Sequence, residues 1–164
     1  MIRLFRLQQK RFAQRPEDAY SGVGASLNKG RWHRVGDEVV YTSSSRSLAA
    51  MEILTQVDPE EMPEYVCVPA DLPKGVYEAR RVVEVGDLPD NWRSYPAPEG
   101  LARIGSRWTR EGNGLLLDVP SAVIPEERNV LVNPRHPDFG TITFGHIEPF
   151  SFDPRIMAKL RGNE

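Results

Sequence analysis

The segment from residue 30 to residue 57 constrains the fold more than any other part of the sequence, because it predicts a β-hairpin that leads directly into a helix. Arg31 and Trp32 lie on the first arm, residues 35–37 form the turn, and the second arm is β-branched up to Tyr41. A two-residue loop would pair Tyr41 with Trp32, whereas a three-residue loop would pair it with Arg31 on the same face. The sequence leaves this register open.

A helix is expected next, with Ser44 or Ser45 accepting a hydrogen bond from its first turn. Glu52 is the only charged side chain between Ser47 and Val57. Such a carboxylate is either an exposed surface group or one that is paired or lines a pocket, and the arginine and tyrosine of the hairpin favour the second interpretation. It points away from the helix face that is expected to pack on a core, which consists of Ala50, Ile53, Leu54 and Val57.

The rest of the chain alternates short strands with a few helices, which indicates one α+β domain over residues 1–164. Mixed, short-stranded sheets with peripheral helices are expected. The predicted strands are residues 2–6, 64–68, 76–85, 115–119, 129–132 and 142–147. The predicted helices are 99–110, ended by Gly112, and a turn at 154–159, while 10–28 and 86–98 are expected to be loops and 161–164 to fray.

Charge and composition exclude several classes of protein. A net charge of −2 without a run of Lys or Arg argues against direct nucleic-acid binding. No segment is apolar enough for a signal peptide or a membrane span, so a cytoplasmic protein is expected. The single cysteine, Cys67, lies in an apolar strand-like run and is expected to be a buried hydrophobic residue, not a nucleophile.

Several kinds of catalytic site also lack support. His33, His136 and His146 do not have metal-ligand spacing, so no metal site is predicted. Ser121 is flanked by proline and alanine, which is unlike the glycine-flanked nucleophile of a serine hydrolase. The candidates that remain are Arg31, a tyrosine, a glutamate and polar residues near Ser121.

Two blocks of sequence resemble the RES domain, a family named after an arginine, a glutamate and a serine. The first block contains Gly30-Arg31-Trp32, Gly36, Val40-Tyr41-Thr42-Ser43 and the spacing to Glu52. The second runs from Val119 to Pro137, and the resemblance extends from Leu4 to about Phe150. Lys29 and His33 depart from the family pattern, which has glycine and asparagine more often at these positions.

The resemblance implies a toxin of an Xre/RES-type toxin–antitoxin pair, with a fold similar to that of ADP-ribosyltransferases and NAD as its substrate. Arg31 would bind the pyrophosphate through its planar fork, and the ring of Tyr41 would stack on nicotinamide. Glu52 would stabilise the oxocarbenium-like charge that develops at the ribose. Ser121 and Asn133 would orient the substrate by hydrogen bonds.

The acceptor of the ADP-ribosyl group stays open at this point. Phosphorolysis would use phosphate as a co-substrate, hydrolysis would use water, and a protein acceptor is the alternative within enzymes. A non-catalytic binding module with the same fold is the alternative from another class, although retention of Arg31, Tyr41, Glu52 and Ser121 together speaks against it. No cofactor beyond NAD is expected, and the expected partner is an Xre-type antitoxin that forms a hetero-oligomer with this chain.

Overall fold

The computed structural model describes residues 1–162, and within them eight strands form one mixed sheet that is flanked by five helices. The strands are β1 (Ile2–Gln9), β2 (Val40–Ser43), β3 (Tyr65–Leu72), β4 (Arg81–Val82), β5 (Leu116–Pro120), β6 (Arg128–Val132), β7 (Thr143–Phe144) and β8 (Glu148–Phe150). The helices are α1 (Val23–Leu27), α2 (Arg46–Leu54), α3 (Lys74–Glu78), α4 (Glu99–Glu111) and α5 (Pro154–Leu160). The predicted α+β class is confirmed, with one sheet in place of several.

The sheet has the order β4-β5-β6-β2-β1-β3-β7, and β8 continues along the same edge of β3 as β7. Among the strand pairs of residues 1–162, only β4–β5 is parallel. β2 lies between β1 and β6, so that Ser43 is opposite Phe5 on one side and Asn129 on the other. Segments far apart in sequence therefore meet at the centre of the sheet.

The predicted hairpin before α2 is wrong. β2 has partners on both edges, and residues 30–33 instead form a tight turn closed by a hydrogen bond from the Gly30 N–H to the His33 carbonyl (3.2 Å). The question of which residue Tyr41 faces across a hairpin therefore does not arise. The strand propensity of the second arm was real, but its partners lie about 90 residues downstream and 40 upstream.

One face of the sheet carries two separate hydrophobic clusters. At the β1–β3 end, α2 packs Ala49 onto Leu7 and Cys67. At the β5–β6 end, α4 and the segment around Trp92 cover a second cluster. The members of that second cluster are Trp32, Val39, Val83, Trp92, Leu101, Trp108, Leu117, Val119 and Leu131. The seam between the two clusters is the part of this face that polar side chains occupy.

The helix ends agree with the capping residues in the sequence. The hydroxyl of Ser45 accepts a hydrogen bond from the Leu48 N–H (3.1 Å) and caps α2, as predicted for Ser44 or Ser45. α4 ends at Gly112, whose φ of 64° suits glycine. Gly105, in the middle of α4, lies so close to Trp32 that an added Cβ would be 1.7 Å from the Trp32 carbonyl oxygen. The absence of a side chain at Gly105 therefore lets the helix dock on the turn that carries Arg31.

Other predicted elements differ in detail. Residues 76–85 form the end of α3 and the two-residue β4 instead of a long strand, because Val76 and Tyr77 pack on the core from a helix. Of the strand expected at 142–147 only β7 forms, and the chain pairs with β3 again only after residue 147, at β8. Pro69 of β3 has no N–H to donate at this edge, and its carbonyl accepts from the Gly145 N–H (2.8 Å). The segment 10–28 contains short helical turns and α1.

Cys67 is buried, as predicted, and burial raises the pKa of its thiol. No helix within residues 1–162 is long and apolar enough to cross a membrane. The expected fraying of 163 and 164 lies outside the described residues, whereas Arg161 caps α5 and donates a hydrogen bond to the Pro59 carbonyl (2.9 Å).

Candidate functional site

The carboxylate of Glu52 is held at the seam between the two clusters by two hydrogen bonds to the same oxygen. Glu52 Oε1 accepts from the Ser121 hydroxyl (2.7 Å) and from the Asn129 side-chain amide (2.6 Å). Within the described residues, Oε2 accepts no hydrogen bond from the protein. One oxygen of Glu52 is therefore fixed by the protein, and the other is left for a ligand.

Asn129 connects Glu52 to the centre of the sheet. Its Oδ1 accepts from the hydroxyl of Ser43 (2.7 Å), which lies directly opposite on β2. This bond assigns the amide orientation, because the oxygen faces a hydroxyl donor and the nitrogen faces a carboxylate. Ser43 and Asn129 are both buried. The pairing of β2 with β6 therefore fixes the direction from which Asn129 donates to Glu52.

Ser121 holds Glu52 from a buried position. The residue is 0% exposed, and its Oγ also accepts from the N–H groups of Val123 (3.1 Å) and Ile124 (3.0 Å). Because these two amides donate to the Ser121 oxygen, the hydroxyl proton remains for the hydrogen bond to Glu52. The structure therefore places the Ser121 hydroxyl on Glu52, and the expected hydrogen bond from Ser121 to a substrate stays a prediction.

Arg31 uses one edge of its guanidinium for the protein. Nη1 donates to the carbonyls of Trp92 (2.6 Å) and Ser94 (3.2 Å), and Nη2 donates to Ser94 (3.2 Å). Among the described residues Arg31 has no carboxylate partner, and Nε donates to no protein acceptor. The edge formed by Nε and Nη2 is therefore available to donate two parallel hydrogen bonds to an anion.

Residues 92–94, here called the strap, connect the two motif blocks. Arg31 binds two carbonyls of the strap, and Arg93 Nε donates to the carbonyl of Ala122 (3.0 Å), the residue after Ser121. The strap therefore ties the turn of Arg31 to the loop that holds Glu52. This loop–loop connection brings together residues that are about 90 positions apart in the sequence.

Charge and burial around the site are uneven. Partial burial lowers the pKa of the Arg31 guanidinium, and the nearby charge of Glu52 acts in the opposite direction. Burial also raises the pKa of the Tyr41 phenol, which keeps it neutral at physiological pH. The Tyr41 hydroxyl accepts a hydrogen bond from the Trp32 N–H (3.2 Å) and contacts His33 Nδ1 (2.7 Å). Its hydroxyl is thus committed to the turn, which leaves the ring as the part that a ligand could contact.

The structure does not bring Asn133 to this cluster. Its amide nitrogen donates to the Thr109 carbonyl in α4 (3.2 Å), and its Oδ1 accepts from the Arg135 N–H (3.0 Å). Four residues along a strand separate it from Asn129 by about 13 Å. The asparagine that contacts Glu52 is Asn129. The clue in the sequence was that Ser43 and Asn129 are polar residues next to apolar strand-like runs, Val39–Tyr41 and Val130–Val132.

The assembled groups are an anchored carboxylate with one open oxygen, a guanidinium with one open edge and a neutral aromatic ring. Two surface cavities of about 400 and 660 Å³ lie elsewhere, one beside α4 and one beside β8, and neither is lined by Glu52, Arg31 or Tyr41. No three His, Cys, Asp or Glu side chains of the described part of the chain cluster as metal ligands. The arrangement suits a ligand that carries both an anionic group and a centre of positive charge.

Comparison with known proteins gives consistent matches over most of the chain. The model of the RES domain family matches residues 3–153. The chain is 36% identical over 143 residues to the Prs ADP-ribosylating toxin of Sphingobium sp. (strain YBL2), covering 87% of this chain and 89% of that protein. It is also 36% identical over 138 residues to Toxin Res of Photorhabdus laumondii subsp. laumondii, covering 83% and 84%.

A solved structure supports the fold independently. The chain superimposes with a TM-score of 0.65 on a chain in the crystal structure of the M. tuberculosis MbcT–MbcA toxin–antitoxin complex. The match covers 98% of this chain and 88% of that chain at 18% sequence identity. At this identity the likeness concerns the fold alone.

Proposed function

Because this chain belongs to the RES domain family, we propose that it is the toxin of a toxin–antitoxin pair and that it cleaves the bond between nicotinamide and ribose in NAD. The observation that carries the proposal is the carboxylate of Glu52, fixed through one oxygen by Ser121 and Asn129 while the other stays open. Two relatives are named as toxins, and one of them as ADP-ribosylating.

Glu52 supplies the charge that the reaction needs. When the C–N bond to nicotinamide breaks, its electron pair goes to the ring nitrogen, so nicotinamide leaves as a neutral molecule. The ribose carbon acquires positive charge in an oxocarbenium-like transition state. A carboxylate oxygen that is already oriented stabilises this charge without reorganisation and can accept a hydrogen bond from a ribose hydroxyl. No strong general acid is required for the departure.

Arg31 and Tyr41 hold the substrate. The open Nε–Nη2 edge of Arg31 can donate two parallel hydrogen bonds to the pyrophosphate, a geometry that lysine cannot reproduce. The Tyr41 ring can stack on the cationic nicotinamide before cleavage, and that attraction weakens once the ring leaves as a neutral molecule. Phosphate or water then forms the new bond to the ribose carbon and gives ADP-ribose 1″-phosphate or ADP-ribose.

A protein acceptor is the second candidate, because one relative is named Prs ADP-ribosylating toxin. In that reaction a side chain of the target forms the new bond in place of phosphate or water. A purely non-catalytic module is disfavoured, since the fixed carboxylate and the free guanidinium edge would have no use. An Xre-type antitoxin is the proposed partner, in line with a relative named Toxin Res and a solved neighbour in a toxin–antitoxin complex.

The test is to incubate the purified protein with NAD, with and without phosphate, and to follow the products by phosphorus NMR. A new phosphomonoester resonance that requires phosphate identifies phosphorolysis. ADP-ribose in both conditions identifies hydrolysis. NAD that stays intact alone but is consumed when a cell extract is added, with label from adenine-labelled NAD appearing on protein, identifies a protein acceptor. NAD that stays intact in all three conditions refutes the proposed enzyme.

A further inference from the structure

His33 is a buried side chain that the catalytic scheme above does not use. It is 5% exposed and lies two residues after Arg31, at the end of the tight turn. Its ring stands edge-on to the Tyr41 ring, with centroids 5.5 Å apart. Its polar contacts within the described residues are the Tyr41 hydroxyl and the carbonyls of Ala25 and Asn28.

The hydrogen-bond partners define how the imidazole is protonated. His33 Nε2 faces the carbonyls of Asn28 (2.7 Å) and Ala25 (3.0 Å), which can only accept, so Nε2 carries the proton. In the neutral ring Nδ1 is then an acceptor, and the Tyr41 hydroxyl donates to it at 2.7 Å. The same hydroxyl accepts from the Trp32 N–H. A chain of hydrogen bonds thus runs from the end of α1 through His33 and Tyr41 to the backbone next to Arg31.

Gly30 makes room for this arrangement. A Cβ at Gly30 would lie 2.2 Å from Cε1 and 2.5 Å from Nδ1 of His33, and 3.0 Å from the Tyr41 hydroxyl. The ring therefore stacks directly on the backbone of the turn. Any movement of the imidazole would change the turn that aims Arg31 at the site.

We propose that His33 is a positioning residue that sets the direction of Arg31 by holding the Tyr41 hydroxyl against the Trp32 amide. The bond to Tyr41 is the part that acts on the site, whereas the bonds to Asn28 and Ala25 fasten α1 and contribute to stability. This inference rests on the proposed function, because its main readout is NAD turnover. It goes beyond that function in assigning a role to a residue that touches no substrate.

Two substitutions separate the two sides of the ring. In His33→Asn, Oδ1 takes approximately the place of Nδ1 and can still accept from Tyr41, but the side chain is too short to reach Asn28. In His33→Gln, the amide nitrogen takes the place of Nε2 and can still donate to Asn28, but no acceptor faces Tyr41. His33→Ala removes both contacts and serves as the reference for full loss.

The experiment measures KM for NAD and kcat for all three variants, together with thermal unfolding. We expect KM to rise about tenfold or more in His33→Gln and His33→Ala, the scale of one hydrogen bond to a site that binds an anion, with kcat within about threefold of wild type because Glu52 is untouched. His33→Asn should keep KM within about threefold of wild type. Its unfolding temperature should nevertheless fall, since the fastening of α1 is lost.

The outcomes distinguish this inference from the proposed function. If wild-type protein does not consume NAD, the proposed function fails. If it does, and His33→Gln keeps the wild-type KM while His33→Asn loses it, the assignment to Tyr41 is wrong. Equal loss of unfolding temperature in all three variants with unchanged KM would mean that His33 is structural only. A double variant, His33→Ala with Tyr41→Phe, adds a check. Both substitutions break the same hydrogen bond, so KM in the double variant should be no higher than in His33→Ala alone.

Discussion

Glu52 is the residue on which the proposed chemistry depends most directly. Replacing it with glutamine preserves the Oε1 acceptor for Ser121 and Asn129 and removes the charge that meets the transition state. We therefore expect Glu52→Gln to lower NAD turnover by ~100-fold or more, with the circular dichroism spectrum and unfolding temperature unchanged. Turnover close to wild type in the folded variant would show that the carboxylate is not catalytic.

The two asparagines near the second motif provide a matched pair at the same scale. Asn129→Ala removes a direct partner of Glu52, so turnover should fall by ~10-fold or more through loss of a hydrogen bond to a charged group. Asn133→Ala removes an amide that binds backbone groups near α4, and should cost about 1–3 kcal/mol of stability while each folded molecule keeps its activity. Turnover is measured per folded protein, with urea unfolding as the companion experiment. The reverse pattern would restore Asn133 to the site.

At the scale of single elements, the docking of α4 on the turn of Arg31 can be tested with two glycines of the same helix. Gly105→Ala would place a Cβ against the Trp32 carbonyl, so the helix must move and we expect a loss of about 1–3 kcal/mol. Gly100 has open space around it, and Gly100→Ala should stabilise the helix by roughly 0.5–1 kcal/mol. The measurement is chemical unfolding of both variants. Equal effects of the two substitutions would contradict the close approach.

The elements that the sequence predicted correctly are those with local determinants. The Ser45 cap, the Gly112 end of α4, and the strands β5 and β6 depend on residues within a few positions of each other. The hairpin failed because a β-branched run specifies a strand but not its neighbour, and β2 pairs with β6 far along the chain.

Dependence on distant parts of the chain also explains why the sequence analysis named Asn133 and not Asn129. Arg31, Tyr41 and Glu52 were recognised from their chemical types and from the family resemblance, and in the structure Glu52 lies near enough to affect the pKa of both Arg31 and Tyr41. Asn129 and Asn133 lie on the same face because they are four positions apart along the strand direction, so alternation could not separate them. Which end of β6 meets α2 is a property of tertiary packing, and no local pattern reports it.

For the whole molecule, the proposed activity predicts a defined cellular effect. The protein expressed alone should stop growth and lower cellular NAD, while co-expression with its cognate antitoxin should prevent both, because NAD supports every redox pathway. Glu52→Gln expressed alone should be tolerated and should still bind the antitoxin. Growth and cellular NAD are followed together after induction. Growth arrest with NAD at its starting level would favour modification of a protein target.

The central position of β2 has a consequence for the synthesis of the protein. Glu52 leaves the ribosome 77 residues before Asn129, and Ser43 precedes its partner by 86. At ~5–20 residues per second this is a delay of ~4–15 s, during which the carboxylate exists without the groups that aim it. For the proposed activity, we therefore expect the nascent chain to be inactive until β6 has been translated and has closed the sheet beside β2.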